Sequence, residues 1–419
     1  LFPKKNDDWK YSVFEGINDF TFKAETHNHP TGISPFPGAA TGAGGEIRDE
    51  SATGKGGFPI AGFVGFTVSK LDFEEPYFSD GRATSLGIMT QGPLGSSDFS
   101  NEFGRPTVCG YFRSFEEYYD GQYWGFHKPI MFAGGVGLIG RENIKKGKIK
   151  TGDLLIILGG PCFKIGVGGG ASSSSTSGIN SLELDYNSVQ RGNPEMQRRV
   201  QEVINFCANQ GKSNPIISIH DVGAGGLSNA VPEIAFDGKK GVKVAFDRIP
   251  VSDDSMNPCE IWTNESQERY VLAINKKDLK DFKELCTREK APFEVVGKFT
   301  EGNELIVESK KFKSTAIFPI KLPLDFLLGK KIELVRNAEK RHDFVDKTSY
   351  ELPDSLVEIA EKVLMDPSVA SKSFLVTIGD RTVGGLTCRD QMVGPWQTPV
   401  ADCAVMSIDY ETDKGISIG

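Results

Sequence analysis

With 419 residues the chain exceeds the roughly 250 to 300 residues at which a single core stops growing, so two or three domains are expected. Hydrophobic residues make up 38% and charged residues 25%, and no apolar run approaches the roughly 20 residues of a membrane helix, so a membrane-spanning helical protein is excluded. The net charge of −8 argues against nonspecific nucleic-acid binding, which needs a surplus of Lys and Arg, and any phosphate site must therefore be local.

Seven cysteines, at positions 109, 162, 207, 259, 286, 388 and 403, are scattered without a CxxC pair or a metal-binding spacing. They read as free thiols, most of them small buried hydrophobes, in a reducing, cytoplasmic setting. The chain opens on Leu1 with no Met and no basic or apolar leader, so no secretory signal is read. It stops at Gly419 within what reads as continuing structure, and a fragment of a longer polypeptide is expected.

Residues 1–21 show no clear period and read as a lead-in. From Asp19 the pattern turns extended through FTFKA, predicting a strand that ends near Lys23 to Glu25 and projects the following polar residues from a sheet edge. The run GAATGAGG from Gly38 to Gly45 holds too many glycines for a regular element and reads as a turn that a ligand could approach closely. A strand broken by Gly and Pro is predicted over Gly56 to Ser69. An aromatic, glycine-rich region follows to about Lys128, and KPIMFAGGVGLI reads as another strand.

A basic turn over Lys145 to Lys150 marks a boundary near 150, after which DLLIILGG reads as a buried strand. GVGGGASSSSTSG, from Gly166 to Gly178, is flexible by composition. The strongest helix is NPEMQRRVQEVINFCANQGK. Asn193 caps it, Pro194 takes its first position, Gly211 closes it, and Met196, Val200, Val203, Ile204 and Cys207 form one core face. PIISIHDVGAGGLSNAVPEIAF reads as strand, tight turn and helix, placing Asp221 at a strand's C-terminal end, where α/β ligand sites often lie. Strand, helix, strand, strand are then predicted over Glu268–Asn275, Lys277–Arg288, Pro292–Phe299 and Glu304–Glu308, a sheet covered by helices. A charged connector over 326–365 contains a helix at SLVEIAEKVL. SFLVTIGD then restarts a strand-rich, glycine-punctuated pattern like that of the first domain.

No GxxxxGK[ST] is present to cradle a phosphate. Gly166, Gly168 and Ala171 match GxGxxA, but a serine run follows where a dinucleotide fold would start a helix. His27 and His29 beside Glu25 could be ligands, yet no third His or Cys lies nearby and the chain holds five histidines in all, so zinc is disfavoured. Oxygen donors suit a hard cation, and Glu25, Asp49 and Asp221 each flank a glycine-rich or strand-end feature. Each acid taken alone is better read as a solvated surface residue. Gln190, His220 and the polar turn Asn264 to Arg269 are likewise unremarkable in isolation.

Taken together, ETHNHP, PGAATGAGGEIRDE, SVQRGNPEMQRR, HDVGAGGLSNA, EIWTNESQERYVLA and DQMVGPWQTPVADCAV occur in this order. From about Phe22 to its end the chain resembles the large-chain type of phosphoribosylformylglycinamidine synthase, the glutamine-dependent amidotransferase of purine synthesis. The resemblance implies an α/β and α+β fold of aminoimidazole-ribotide-synthetase-like N- and C-domains. These would cover 1–150 and 151–325, with a connector over 326–365 and the start of a duplicated second N-domain over 366–419.

In that family ATP phosphorylates the amide oxygen of formylglycinamide ribonucleotide, and ammonia released from glutamine displaces the phosphate. The resemblance therefore implies ATP and Mg²⁺ as cofactors and a glutaminase domain as the source of ammonia. By motif, His27 matches the general base and Lys23 an ATP contact. The run Gly38, Ala39, Ala40, Thr41, Gly42, Ala43, Gly44, Gly45, Glu46, Ile47, Arg48 and Asp49 would wrap the nucleotide. Glu25, Asp49 and Asp221 would hold Mg²⁺. Thr26, His27, Asn28, His29, Arg48, Gln190, Glu265, Ser266 and Gln267 match substrate contacts. Ala401 and Asp402 match an auxiliary nucleotide and metal site in the second half. The glutaminase domain and an upstream segment with another active-site His are not in this sequence, so the chain alone is expected not to use glutamine. The alternative is a noncatalytic nucleotide-binding relative, such as a viral tegument homologue. The intact set at 23, 25, 27, 48, 49 and 221 favours the enzyme.

Overall fold

The structure is a computed structural model. It describes residues 2–3, 11–12, 16–71, 81–174, 182–310, 319–329, 335–340, 355–377 and 379–419. Most of the predicted lead-in, the serine-rich run beyond 174 and residues 330–334 and 341–354 of the predicted connector lie outside the described residues.

The predicted first strand is β1, Asn18–Thr26. Its residues alternate between exposed and half-buried, as a strand with one covered face must. Phe20 and Phe22 stand on the open face. On the other, Thr21 donates to Glu50 at 3.1 Å, which places the following helices there. A short helix α1, Asn28–Ile33, leads into α2, Pro35–Ser51. The glycine-rich run is therefore the middle of a helix and not a turn. Glycine is used here for closeness of packing: a Cβ on Gly38 would lie 2.4 Å from the Pro30 backbone and one on Gly44 2.5 Å from the Phe99 ring. Ala39, Ala43 and Ile47 face the core from the same helix.

Strand β2, Phe58–Val68, forms as predicted, with a register shift near Pro59. The region after it contains an unpredicted helix, α3, Ser85–Phe103, capped by the Thr84 hydroxyl and ended by Gly104 at φ 91. Its Gly87, Gly92, Pro93 and Gly95 resemble turn residues in sequence. In space Gly95 packs so tightly that a Cβ would meet the Phe36 carbonyl at 2.0 Å. Strand β3, Thr107–Ser114, an aromatic hairpin over Glu116–Gly125, and β4, Ile130–Gly140, follow. The first sheet has the order β1-β4-β2-β3, and only β2 and β3 run parallel. Phe66, Phe112, Met131 and Ala133 pack beneath α2 and α3.

The second sheet begins with β5, Leu154–Gly159, the predicted buried strand. Gly169–Ser174, expected to be flexible, forms a short helix, and Leu182–Ser188 forms another. Helix α4, Pro194–Ala208, follows the prediction: Asn193 accepts from the Met196 N–H at 3.0 Å, and Val200, Val203, Ile204 and Cys207 are buried. Its end differs, because Asn209 caps it and Gly211 opens a separate helical turn.

Next come β6, Ile216–Asp221, α5, Leu227–Asp237, and β7, Gly241–Ala245. They are followed by β8, Arg269–Ile274, α6, Leu279–Arg288, β9, Phe293–Thr300, β10, Glu304–Glu308, and β11, Ile320–Pro323. The seven-stranded order is β6-β8-β5-β9-β7-β10-β11. Both faces are covered. Leu155, Ile157 and Val271 pack with Val231 and Ile234 of α5, while Ile156, Leu158 and Leu272 pack with Val203 of α4 and Phe282 of α6. Strand β8 is buried at every position, and its apolar run from Tyr270 to Ile274 is what burial on two sides requires.

The two sheets dock through polar contacts. Gln201 of α4 donates to the Gly57 carbonyl at 3.0 Å and Asn143 to that of Ala208 at 2.8 Å. In the last segment the predicted helix appears as Leu356–Met365, but Ser373–Thr377, expected to open a strand, is one helical turn that packs Leu375 near Phe66 and Phe112. A three-stranded sheet of Thr387–Arg389, Ala404–Ser407 and Gly415–Ile418 then packs Ala404 and Met406 against Ile60 and Val108. Cys162, Cys207 and Cys286 are buried as expected, Cys109 and Cys403 are half-buried, and Cys259 and Cys388 are exposed; all are free thiols. Among the described residues no helix is long and apolar enough to cross a membrane.

Candidate active site

Beyond Thr26 the chain is pinned to β4. The His27 N–H donates to the Met131 carbonyl at 2.8 Å, and Asn28 Oδ1 accepts from the Met131 N–H at 3.0 Å. This sets His27 at the head of α1 against the glycine surface of α2, where a Cβ on Gly42 would lie 2.9 Å from His27 Cβ. Its Nδ1 stands 2.6 Å from the Gly38 carbonyl oxygen. A carbonyl can only accept, so Nδ1 carries the hydrogen and Nε2 keeps its lone pair. Burial pushes its pKa down to about 4, so the ring is neutral at physiological pH.

Four charged side chains gather where β1, α2 and β6 meet. Lys23 Nζ is 2.5 Å from Asp49 Oδ2 and 3.9 Å from Glu25 Oε2. Burial works against the ammonium, but Asp49, Glu25 and Asp221 together hold its pKa above the ordinary lysine value. Burial and the neighbouring Asp49 charge push Glu25 up to about 7 and Asp221 to about 6. One lysine thus leaves the three acids with excess negative charge, and an all-oxygen donor set of this kind fits a hard divalent cation. Among the described residues no group of three or more His, Cys, Asp and Glu stands at ligand spacing. Behind Asp221, His220 Nδ1 donates to the Asp221 carbonyl at 2.8 Å and Nε2 lies 2.5 Å from Glu233. Burial opposes charge on His220, but Glu233 and Asp221 raise its pKa overall.

The second unit contributes an opposing wall. Gln190 donates through Nε2 to Glu265 Oε2, while Glu265 Oε1 accepts from the N–H groups of Gly170 at 3.0 Å and Gly225 at 3.3 Å. Burial raises the Glu265 pKa against the pull of these hydrogen bonds. Gly166, at φ 62, passes so close that a Cβ would lie 2.6 Å from that of Glu265, a position open to glycine alone. Gln267 Oε1 accepts from Arg48 Nη1 at 2.5 Å, joining α2 to the loop before β8.

Several predicted residues lie apart from this cluster. Thr26 is exposed on the face of β1 opposite to Lys23 and Glu25. His29 is buried 3.3 Å from Asp185, where burial lowers its pKa against the attraction of that acid. Ser266 accepts from the Phe163 N–H at 2.8 Å and donates to Asn264 of its own loop at 2.6 Å. The run Gly38 to Asp49 is a helix whose Ala39, Thr41, Ala43 and Ile47 point into protein, and it meets the site through Gly45, Arg48 and Asp49. Ala401 and Asp402 line a separate cavity of 510 Å³ with Phe63, Tyr111, Phe132 and Asp380.

Sequence reasoning missed Arg269 and Arg105. Buried Arg269 staples the loop before β8, donating to the Ser266 carbonyl at 2.8 Å and to Asn264 Oδ1 and Cys162 Sγ at 2.9 Å each. Arg105 reaches Glu46 at 2.6 Å beneath α2. The one available signal, for Arg269, was the polar cluster Asn264 to Arg269 directly before the apolar run Tyr270 to Ile274.

Residues 150–310 match the family described as AIR synthase related protein, C-terminal domain, and residues 371–419 match the FGAR-AT PurM_N-like domain. The chain has the AIR synthase-related fold. It resembles the synthetase half of a large-chain phosphoribosylformylglycinamidine synthase, and solved structures bear this out. A Thermotoga maritima PurL complexed with FGAR is 25% identical with a TM-score of 0.63, covering 81% of this chain and 51% of that one. PurLQS from the same organism is 23% identical with a TM-score of 0.65, covering 96% and 55%. T. maritima PurL complexed with ATP is 22% identical with a TM-score of 0.61, covering 99% and 58%. The AIR synthase-related chain therefore spans about half the length of these proteins.

Proposed function

We propose that this chain is the synthetase part of a phosphoribosylformylglycinamidine synthase, converting formylglycinamide ribonucleotide to its amidine with ATP and ammonia. The observation that carries the reading is His27: a half-buried, neutral imidazole with a free Nε2, sharing Arg48 as a neighbour with Glu25 and Asp221. Likeness to PurL structures complexed with FGAR and with ATP supports it.

In this reading the amide oxygen of the substrate attacks the γ-phosphorus of ATP and ADP leaves. Ammonia then adds to the amide carbon, a proton passes to His27 Nε2, and phosphate departs to leave the amidine. Arg48 takes the ribonucleotide phosphate, and Gln267 holds its guanidinium in place. Gln190 and Glu265 orient the substrate from the opposite wall. Lys23 contacts the nucleotide. Glu25, Asp49 and Asp221 would hold Mg²⁺, which supplies neutralisation of the triphosphate charge.

The same reading assigns 1–150 and 151–325 as a first N- and C-domain pair and 366–419 as the start of a second N-domain. Ala401 and Asp402 become part of an auxiliary nucleotide site. It makes the enzyme cytoplasmic, with a glutaminase domain or subunit as the ammonia source. The test is incubation of the chain with formylglycinamide ribonucleotide, ATP, Mg²⁺ and ammonium chloride. Amidine and ADP in equal amounts support the proposal; failure to bind either substrate refutes it.

A further inference from the structure

The loop that carries Glu265 to Gln267 ends in a residue the mechanism above does not use. Glu268 is only 4% exposed and has a left-handed backbone with φ 60. For a residue bearing a Cβ this conformation is strained, and it persists only where the surroundings impose it. Gly159 at the end of β5 does so: a Cβ there would lie 2.0 Å from the Glu268 carbonyl oxygen, and the Gly160 N–H donates to that same oxygen at 3.4 Å. Glycine would fit position 268 without strain, so the side chain needs another reason to be there.

That side chain is buried without a complete set of partners. Its Oε1 has no hydrogen bond, although Arg48, Arg269 and the Asn193 N–H all act on the carboxyl. Two further buried polar atoms around the same guanidinium and loop lack partners, Arg48 Nε and Gln190 Oε1. A buried polar atom left unsatisfied is costly, so the open donor of Arg48, the open oxygen of the Glu268 carboxyl on which that guanidinium acts, and the open amide oxygen of Gln190, which holds Glu265 of the same loop, point to a polar ligand. The ligand must accept from Arg48 and donate to carboxyl and amide oxygens. A carboxyl oxygen repels phosphate but suits a sugar hydroxyl. A phosphoribosyl group presents both, with phosphate acceptors and hydroxyl donors on one ring.

We propose that Glu268 is a further substrate-binding residue, whose free carboxyl oxygen accepts a hydrogen bond from a ribose hydroxyl of the ribonucleotide while Arg48 holds the phosphate. The inference rests on the function proposed above and adds the recognition of ribose to it. Strain at 268 and the open valences of Arg48 and Gln190 are then offset on binding.

The experiment is calorimetric titration of the full chain, as wild type, Glu268→Gly and Glu268→Asn, with formylglycinamide ribonucleotide and with its 2′- and 3′-deoxy analogues. Wild type is expected to prefer the ribonucleotide to at least one deoxy analogue by about tenfold or more. In Glu268→Gly that preference collapses and ribonucleotide affinity falls about tenfold, while ATP affinity and the melting temperature do not fall. Asn tolerates the left-handed backbone but has a shorter reach, so Glu268→Asn gives the same loss should the glycine variant not fold. Variants that keep both affinity and preference overturn the proposal and make Glu268 structural, as does a wild type indifferent to the deoxy changes. A wild type that binds no ribonucleotide at all overturns the underlying function instead.

Discussion

Arg48 donates to Gln267 at 2.5 Å across 219 residues of chain, and both side chains are buried. This contact places the α2 guanidinium against the loop before β8, so that the site is assembled from both sheets. Lysine cannot reproduce the planar fork. Arg48→Lys is expected to weaken ribonucleotide binding by about 10- to 100-fold, the worth of a buried charged hydrogen bond, with ATP affinity nearly unchanged. Titration calorimetry with each ligand checks this, and equal loss for both would mean the site had collapsed.

His27→Ala should abolish ammonia-dependent amidine formation while nucleotide binding persists. Because burial holds the ring's pKa near 4, the free base is present throughout the neutral range, and ordinary histidine titration near 6.5 should leave no mark on the rate. A pH–rate profile that breaks near 6.5 in wild type and loses that break in His27→Ala would contradict the burial argument.

Glu46 and Glu50 share one guanidinium, with Arg105 2.6 Å from Glu46 and 3.7 Å from Glu50. Burial and the Glu46 charge push Glu50 up to about 9, against 4.5 for a free carboxyl. Between these values the folded state binds the extra proton, so stability falls as pH rises across the window, by at most about 1.4 kcal/mol per pH unit. Glu50→Gln should remove that slope and cost little at neutral pH. Glu46→Gln leaves Arg105 without its close partner and should cost about 3–5 kcal/mol. Urea unfolding of both variants at two pH values separates them.

Gly44→Val should be among the most damaging substitutions in α2, although valine is an acceptable helix residue. Even the first carbon of a side chain would lie 2.5 Å from the Phe99 ring, between α2 and α3. Overpacking of about 1–3 kcal/mol is expected, read as a lower urea midpoint. A paired Phe99→Ala should recover part of it; no recovery would place the strain elsewhere.

Much of the fold was legible because its signals are local. β1, α4, β5, β6 and β8 each carry a period, a cap or an uninterrupted apolar run that does not depend on what lies opposite. α2 and α3 were not legible, because a glycine that allows a turn and a glycine that allows two helices to touch are the same residue in sequence. Phe99, Phe36 and Pro30 distinguish the two uses, and they are brought to these glycines only by folding.

The sequence by itself determined the chemistry available: carboxylates at 25, 49 and 221, an imidazole at 27, and motif order sufficient to resemble a known synthetase. Tertiary structure decided how those groups are used. It placed Lys23 on Asp49, fixed the His27 tautomer through the Gly38 carbonyl, and joined Arg48 to Gln267. It also turned Thr26 to the opposite face of its strand and Ala401 and Asp402 into another cavity. The reason is physical: donor and acceptor type is written in each side chain, whereas proton position, burial and partner depend on distances that exist only in the folded chain.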